Sequence, residues 1–381
     1  MLPALLVLLL LLSPGVGARA AMPVLITVDT ETSSGCRGDG CFPSPLAGRI
    51  YGEFEGRQYG IPLIMDLLEQ HGMRGTFFVN PHMDAWYPEA EVEAMVRSIV
   101  DRGHDVQLHP HPEFRCFRRC KPAELQCRFL CTRAEGRLAG ASLENQVTIL
   151  REGAESLARW SGRYPVAFRG PALLADENTL KALARVGIPV DSSVAGPQHP
   201  LASVLPVNQL GVHGGILEIP LLAYEEDLLV RRRVRFLDQE SSTLAEQVSL
   251  LEQAASRGVG AVPLLMHSFS FCDPANACPV PANIERFEAL LSYLASRPDR
   301  FRVETMAGFW SLYQQEPSAY TRPVAAGLPR VSYWLVLRRS VERFNHGWMN
   351  VAFLLGNLAA ALVVLAGLAW AALRFARRRP A

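Results

Sequence analysis

Short apolar runs alternate with amphipathic stretches along most of the chain. The runs Val24 to Val28, Gly75 to Val79, Asp105 to Leu108, Val166 to Arg169, Ile188 to Asp191, Leu217 to Pro220, Val262 to His267 and Arg302 to Glu304 predict strands. Between them the period lengthens to that of a helix. Thr243 and Glu246 form a capping box, after which Leu244, Val248, Leu251 and Ala255 recur on one face until Gly258. Ile284, Phe287, Leu290, Leu291 and Leu294 do the same before Pro298. Strands alternating with helices imply parallel strands covered by helices, and seven or so such repeats predict a distorted (β/α) barrel of the α/β class.

The two ends of the chain depart from this pattern. Leu2 to Leu12 is an 11-residue apolar run, broken by Ser13-Pro14-Gly15 and followed by the small-x-small site Ala18-Arg19-Ala20. That predicts an export signal over residues 1–20, although the absence of Lys or Arg before the run leaves an uncleaved anchor as the alternative. Val351 to Leu373 holds 23 residues without a charge, and only Asn357 is strongly polar. As a helix of about 34 Å it would span a membrane, with Arg374, Arg377, Arg378 and Arg379 in a cytoplasmic tail over 374–381. The alternative for this segment is a buried C-terminal core helix. A domain over 22–315 and a proline-bearing linker over 316–350 complete the division, with the domain on the extracytoplasmic side of a single span.

Composition narrows the partners. The 38 basic and 37 acidic side chains nearly cancel and form no basic stripe interleaved with aromatics, so nucleic acid is excluded as a partner. Hydrophobic residues make up 49% of the chain, enough for a core that needs no metal or disulfide to fold.

Chemistry concentrates at the ends of predicted strands. Asp29 and Glu31 follow an apolar run two residues apart, and in extended chain such positions share a face. His109 and His111 follow Asp105 to Leu108, and imidazole nitrogens with a carboxylate suit a divalent metal that keeps one position open. His267 ends another buried run, Arg169 a further one, and His104 precedes a strand as a structural residue. Taken singly, each pattern is as common at turns, caps and solvated rims as at active sites.

Taken in order they are more specific. Thr27-Val28-Asp29-x-Glu31, Gly75-Thr76-Phe77-Phe78-Val79, Gly103-His104-Asp105-Val106-x-Leu108-His109-x-His111-Pro112, Phe168-Arg169-x-Pro171, Asp191-Ser192-Ser193, Leu217-Glu218-Ile219-Pro220 and Met266-His267-Ser268 together resemble the polysaccharide deacetylases of the NodB homology type. The resemblance covers about residues 23–305. It implies a distorted seven-stranded barrel and metal-dependent hydrolysis of an amide, usually the N-acetyl group of an amino sugar, with a carbohydrate as substrate. It also implies Asp29 as general base, Arg169 as the cation that positions it and His267 as general acid. The metal motif departs from the common family pattern of adjacent aspartates and H-x-x-x-H: Thr30 and Glu113 stand where that pattern has ligands. Glu31, His109 and His111 are the expected ligands, with zinc as the expected ion and Glu113 in place of His111 as the alternative. Hydrolysis of a small non-sugar amide and a catalytically silent carbohydrate-binding domain are the competing functions.

All eight cysteines lie in the segment expected to be exported, which favours disulfides. Cys36 follows Glu31, Cys116 follows His111 and Cys272 follows His267, each by five residues. Local pairing is expected: Cys36 with Cys41, Cys272 with Cys278, Cys116 with Cys131 and Cys120 with Cys127. A zinc cluster on the middle four is the alternative.

Overall fold

The computed structural model describes residues 20–33, 36–37, 40–41, 43–119, 136–228, 231–272, 278–342 and 348–376. Residues 1–19 of the expected export signal, Cys120, Cys127, Cys131 and the arginines at 377–379 lie outside the described residues.

Every predicted strand is present. They are β1 (Met22–Thr30), β2 (Thr76–Val79), β3 (Asp105–Leu108), β4 (Ala167–Phe168), β5 (Val190–Asp191), β6 (Ile216–Glu218), β7 (Val262–His267) and β8 (Phe301–Glu304). Seven of them run parallel in the order β6-β5-β4-β3-β2-β1-β7, while β8 lies along the first half of β1 and an antiparallel Gly211–His213 strand flanks β6. All nine residues of β1 are buried, as its unbroken apolar run requires of a strand covered on both faces. Its residues divide by parity. Val24, Ile26 and Val28 join the larger apolar cluster, whereas Leu25 joins Phe78, Val190, Met306 and Phe309 in a second one.

The sheet curls, and helices such as Ile61–Gln70, Glu89–Asp101, Leu143–Ser161 and Leu244–Arg257 cover it. The last starts at the expected capping box and stops where Gly258 takes φ 92°, a left-handed conformation that glycine adopts without strain. No ladder among the described residues joins β6 directly to β7. The chain at 237–239 occupies that gap: Leu237 N–H donates to Leu222 O and Gln239 N–H to Leu265 O, both at 2.8 Å.

The expected linker over 316–350 is folded for much of its length. Arg330–Val331 pairs with the strand Ala223–Asp227, and the helix Tyr333–Glu342 follows. Arg339 of that helix is 5% exposed and reaches Glu226 Oε1 at 2.6 Å and Glu246 Oε1 at 2.9 Å. A buried arginine that neutralises two buried carboxylates ties this segment to the domain, because removing it would leave charge in a low-dielectric interior. Beyond it, Trp348–Ala376 is one continuous helix. It is the one helix among the described residues long and apolar enough to cross a membrane, and none of its window Leu354–Ala371 is buried against the domain.

Candidate active site

Parallel register brings the chemistry to one rim. Asp29 on β1 stands opposite His267 on β7 and Phe78 on β2, Leu108 opposite Phe168, and Phe168 opposite Asp191. The residues that follow these positions, Glu31, His109 and Arg169, therefore emerge at the carboxyl ends of neighbouring strands, where α/β sheets place their ligand sites.

Arg169 is fully buried and organises the floor of the site. Its Nη1 donates to Asp29 Oδ1 at 2.7 Å and to Thr27 Oγ1 at 3.0 Å, its Nε to Ser192 O at 3.2 Å, and its guanidinium lies 4.3 Å from the centre of the Phe78 ring. The chain then turns sharply. A Cβ on Gly170 would lie 2.1 Å from Leu174 O, so only glycine fits there, and Ala172 and Leu173 follow with φ of 51° and 58°. His199 Nε2, 2.9 Å from Leu173 O, braces this turn.

Glu31, His109 and His111 converge beside Asp29. His109 Nε2 lies 3.1 Å from Glu31 Oε2, 3.1 Å from His111 Nε2 and 3.9 Å from Asp29 Oδ2, and His111 Nε2 also contacts Glu31. The outer nitrogens are committed elsewhere: His109 Nδ1 lies 2.9 Å from Arg169 O, and His111 Nδ1 lies 2.7 Å from Glu113 Oε1. A carbonyl or a carboxylate can only accept, so both Nδ1 atoms carry the proton. With the other proton lost on metal binding, each ring would present an Nε2 lone pair to the shared point. Asn80, fully buried, accepts the His111 backbone N–H at 3.1 Å and fixes the loop.

The three inner atoms lie within 4.8 Å of one another, and two nitrogen lone pairs with one carboxylate oxygen are a donor set for a divalent ion. The same groups are strongly coupled electrostatically. Burial acts to raise the Glu31 carboxyl, but the His111 charge and the hydrogen bonds from both histidines outweigh it and hold the group well below the usual carboxylate range. His111 is shifted the opposite way: burial acts to lower it, and Glu31 and Glu113 raise it well above the ordinary histidine value.

On the far side of Asp29, His267 has a partner that the sequence reading missed. Glu240 Oε1 lies 3.0 Å from His267 Nδ1 and accepts the His267 backbone N–H at 2.9 Å. Burial works against the imidazolium, yet Glu240 first, then Asp29 and Glu31, push its pKa up to about 9. Phe269 stacks on the imidazole with ring centres 4.9 Å apart.

The expected site residues Asp29, Glu31, His109, His111, Arg169 and His267 are thus brought to one rim. Glu113 holds the outer nitrogen of His111 and stands behind it. His104 is structural as expected, with Nδ1 accepting Gly75 N–H at 3.1 Å and Nε2 3.1 Å from Glu69. Cys272 and Cys278 form the expected disulfide, and the Cys36–Arg37 and Gly40–Cys41 strands set Cys36 opposite Cys41. Cys116 is also disulfide-bonded.

The curled, mostly parallel sheet thus carries histidines and carboxylates at its carboxyl rim. The family model for polysaccharide deacetylase matches residues 55–190, which contain His109, His111 and Arg169. A peptidoglycan deacetylase-like protein of Gibberella zeae is 28% identical over 182 residues, 47% of this chain and 46% of its own length. The chain therefore spans about half the length of that curated relative. Among solved structures, a candidate polysaccharide deacetylase of Mycobacterium smegmatis aligns over 82% of this chain and 96% of its own, at 18% identity and a TM-score of 0.49. A family 4 carbohydrate esterase of Streptomyces lividans aligns over 76% and 94%, at 16% identity and 0.37. Over residues 55–190 the chain is thus similar to the polysaccharide deacetylases.

Proposed function

We propose that this protein is a metal-dependent N-deacetylase that removes acetyl groups from an amino-sugar polymer or oligosaccharide outside the cytoplasm. The observation that carries the reading is the convergence of Glu31, His109 and His111 beside an arginine-held Asp29, with the Glu240-paired His267 on the opposite side. We read the curled sheet as a distorted (β/α)7 barrel whose seventh gap is filled by the 237–239 segment.

Glu31, His109 and His111 would hold the metal, with zinc the ion that best suits two imidazoles and a carboxylate. When bound there, it would polarise the amide carbonyl and acidify a water molecule. Asp29, oriented through Oδ1 by Arg169, would take a proton from the water that attacks the carbonyl carbon. His267 gives its proton to the departing nitrogen, so the C–N bond breaks with a neutral amine leaving and a carboxylic acid remaining, which then releases its proton to solvent. Glu240 keeps that imidazole protonated and aimed. Acetate release from N-acetylated amino-sugar oligomers by the zinc-loaded chain is the test. A zinc-loaded, folded chain that releases acetate from none of them would overturn the substrate class.

We further propose a cleaved export signal over 1–20 and a single span through Val351 to Leu373. Support comes from the outward apolar side chains of the last helix, among them Leu358, Val363 and Leu368. The packed Tyr333–Glu342 helix moves the end of the soluble unit from 315 to about 342. The full chain is expected in the detergent phase and a chain ending at Glu342 in the aqueous phase. Recovery of the full chain from the aqueous phase would remove the anchor.

A further inference from the structure

Two of the ordered motifs, Asp191-Ser192-Ser193 and Leu217-Glu218-Ile219-Pro220, carry acidic residues that take no part in the reaction described above. Their acidic residues are cross-strand partners in the β5–β6 ladder, and both are fully buried. Parallel neighbours on one face stand about 5 Å apart. Each carboxyl has one oxygen engaged. Asp191 Oδ1 accepts from Ser193 Oγ, and Glu218 Oε1 accepts Val194 N–H at 2.9 Å. Asp191 Oδ2 and Glu218 Oε2 are buried and find no donor in the surrounding protein.

We propose that Asp191 and Glu218 form a carboxyl pair that shares one proton and acts as a positioning element for Arg169, and through it for the proposed base Asp29. Two ionised carboxylates at this separation in a water-free interior repel too strongly to coexist, so a proton held between the two free oxygens satisfies both. Burial, followed for Glu218 by the charge of its partner, raises both groups, Asp191 to about 6 and Glu218 well above the usual carboxylate range. Arg169, at the end of β4, is the cation that faces both, and its field favours one remaining negative charge on the pair.

The link to the site is a short relay. Between the paired acids, the Asp191–Val194 backbone is held at Asp191 by Ser193 and at Val194 by Glu218. Ser192 O and Oγ then accept Arg169 Nε at 3.2 Å and Nη2 at 3.3 Å, and Ser193 Oγ accepts Gly170 N–H at 2.9 Å. Ser192 Oγ in turn donates to Ile219 O at 2.9 Å, next to Glu218. Losing either acid would loosen the segment that sets where Arg169 points.

This inference rests on the deacetylase reading for its kinetic arm only. Infrared difference spectra of the full chain near neutral pH, wild type minus Glu218→Gln, should contain the carbonyl stretch of a protonated carboxyl. Glu218→Ala should lower kcat about tenfold with KM within about twofold, because a misplaced base impairs the transition state more than substrate binding. Glu218→Gln, whose amide can donate to Asp191 without a shared proton, should restore most of the loss. Ser192→Ala should reproduce the kcat loss while keeping the infrared band. Absence of the band would overturn the pair whatever the activity, and this result stands even if Glu218→Ala fails to fold. A band with kcat unchanged in folded Glu218→Ala and Ser192→Ala would overturn the positioning role. An inactive wild type that shows the band would count against the deacetylase reading instead.

Discussion

His267→Ala should lower amide hydrolysis by about 100-fold or more while leaving the fold and metal content unchanged, since a general acid contributes roughly that factor. An expelled amide nitrogen is a very poor leaving group unless it is protonated as the bond breaks. His267 stands opposite Asp29 in the β1–β7 register and outside the Glu31, His109 and His111 cluster, so its loss would remove the proposed proton donor and no proposed ligand. Turnover within about threefold of wild type would rule out the role, because a general acid should contribute far more. The pH profile adds an independent check. The His267 pKa lies above its ordinary value of 6.5, at about 9, so the proton-donating form persists as pH rises and is lost through about pH 9. The stabilisation it draws from Glu240 follows the same sign: present in full below about pH 6.5 and lost as pH rises through about 9. Glu240→Gln removes the carboxylate that most favours the imidazolium and should move the alkaline limb of kcat to lower pH. An alkaline limb that stays in place would show that Glu240 does not tune the acid.

The second large effect is on metal content. His109→Ala or His111→Ala should abolish stoichiometric metal binding, because each removes one of the three proposed protein ligands and the binding free energy of such ligands is large. Glu113→Ala should weaken affinity about 10- to 100-fold without removing the site, as expected for a partner that orients a ligand from behind. Asp29→Asn should keep the metal and lose activity. Because His111 must give up its proton to coordinate, affinity should also rise with pH. Metal analysis of the His111 and Glu113 variants side by side decides the ligand set: metal retained in the first and lost in the second would replace His111 by Glu113.

The strands, the helix caps and the strand-end residues were legible because they depend on local rules. β1 is an unbroken apolar run because it is covered on both faces, and Thr243 with Glu246 caps its helix within a single turn. The i, i+2 spacing of Asp29 and Glu31 already placed both carboxylates on one face. What joined these pieces was register, which is set by sheet pairing across hundreds of residues. Glu240 sits in a loop before a helix cap and has the local look of a capping acid; only packing of the 237–239 segment along β7 brings it to His267. The 316–350 stretch suggested a linker because its prolines and charges are those of exposed chain. Arg339 is buried there because Glu226 and Glu246, about a hundred residues earlier, supply the opposite charge. Alternating histidine, proline and glutamate likewise did not show that Glu113 stands at the outer nitrogen of His111. The sequence determined which side chains stand at the ends of buried strands, since burial and periodicity are written locally. Tertiary structure alone decided which of them point at one another, because a hydrogen bond or a shared proton needs atoms about 3 Å apart, and only the folded sheet brings distant segments that close.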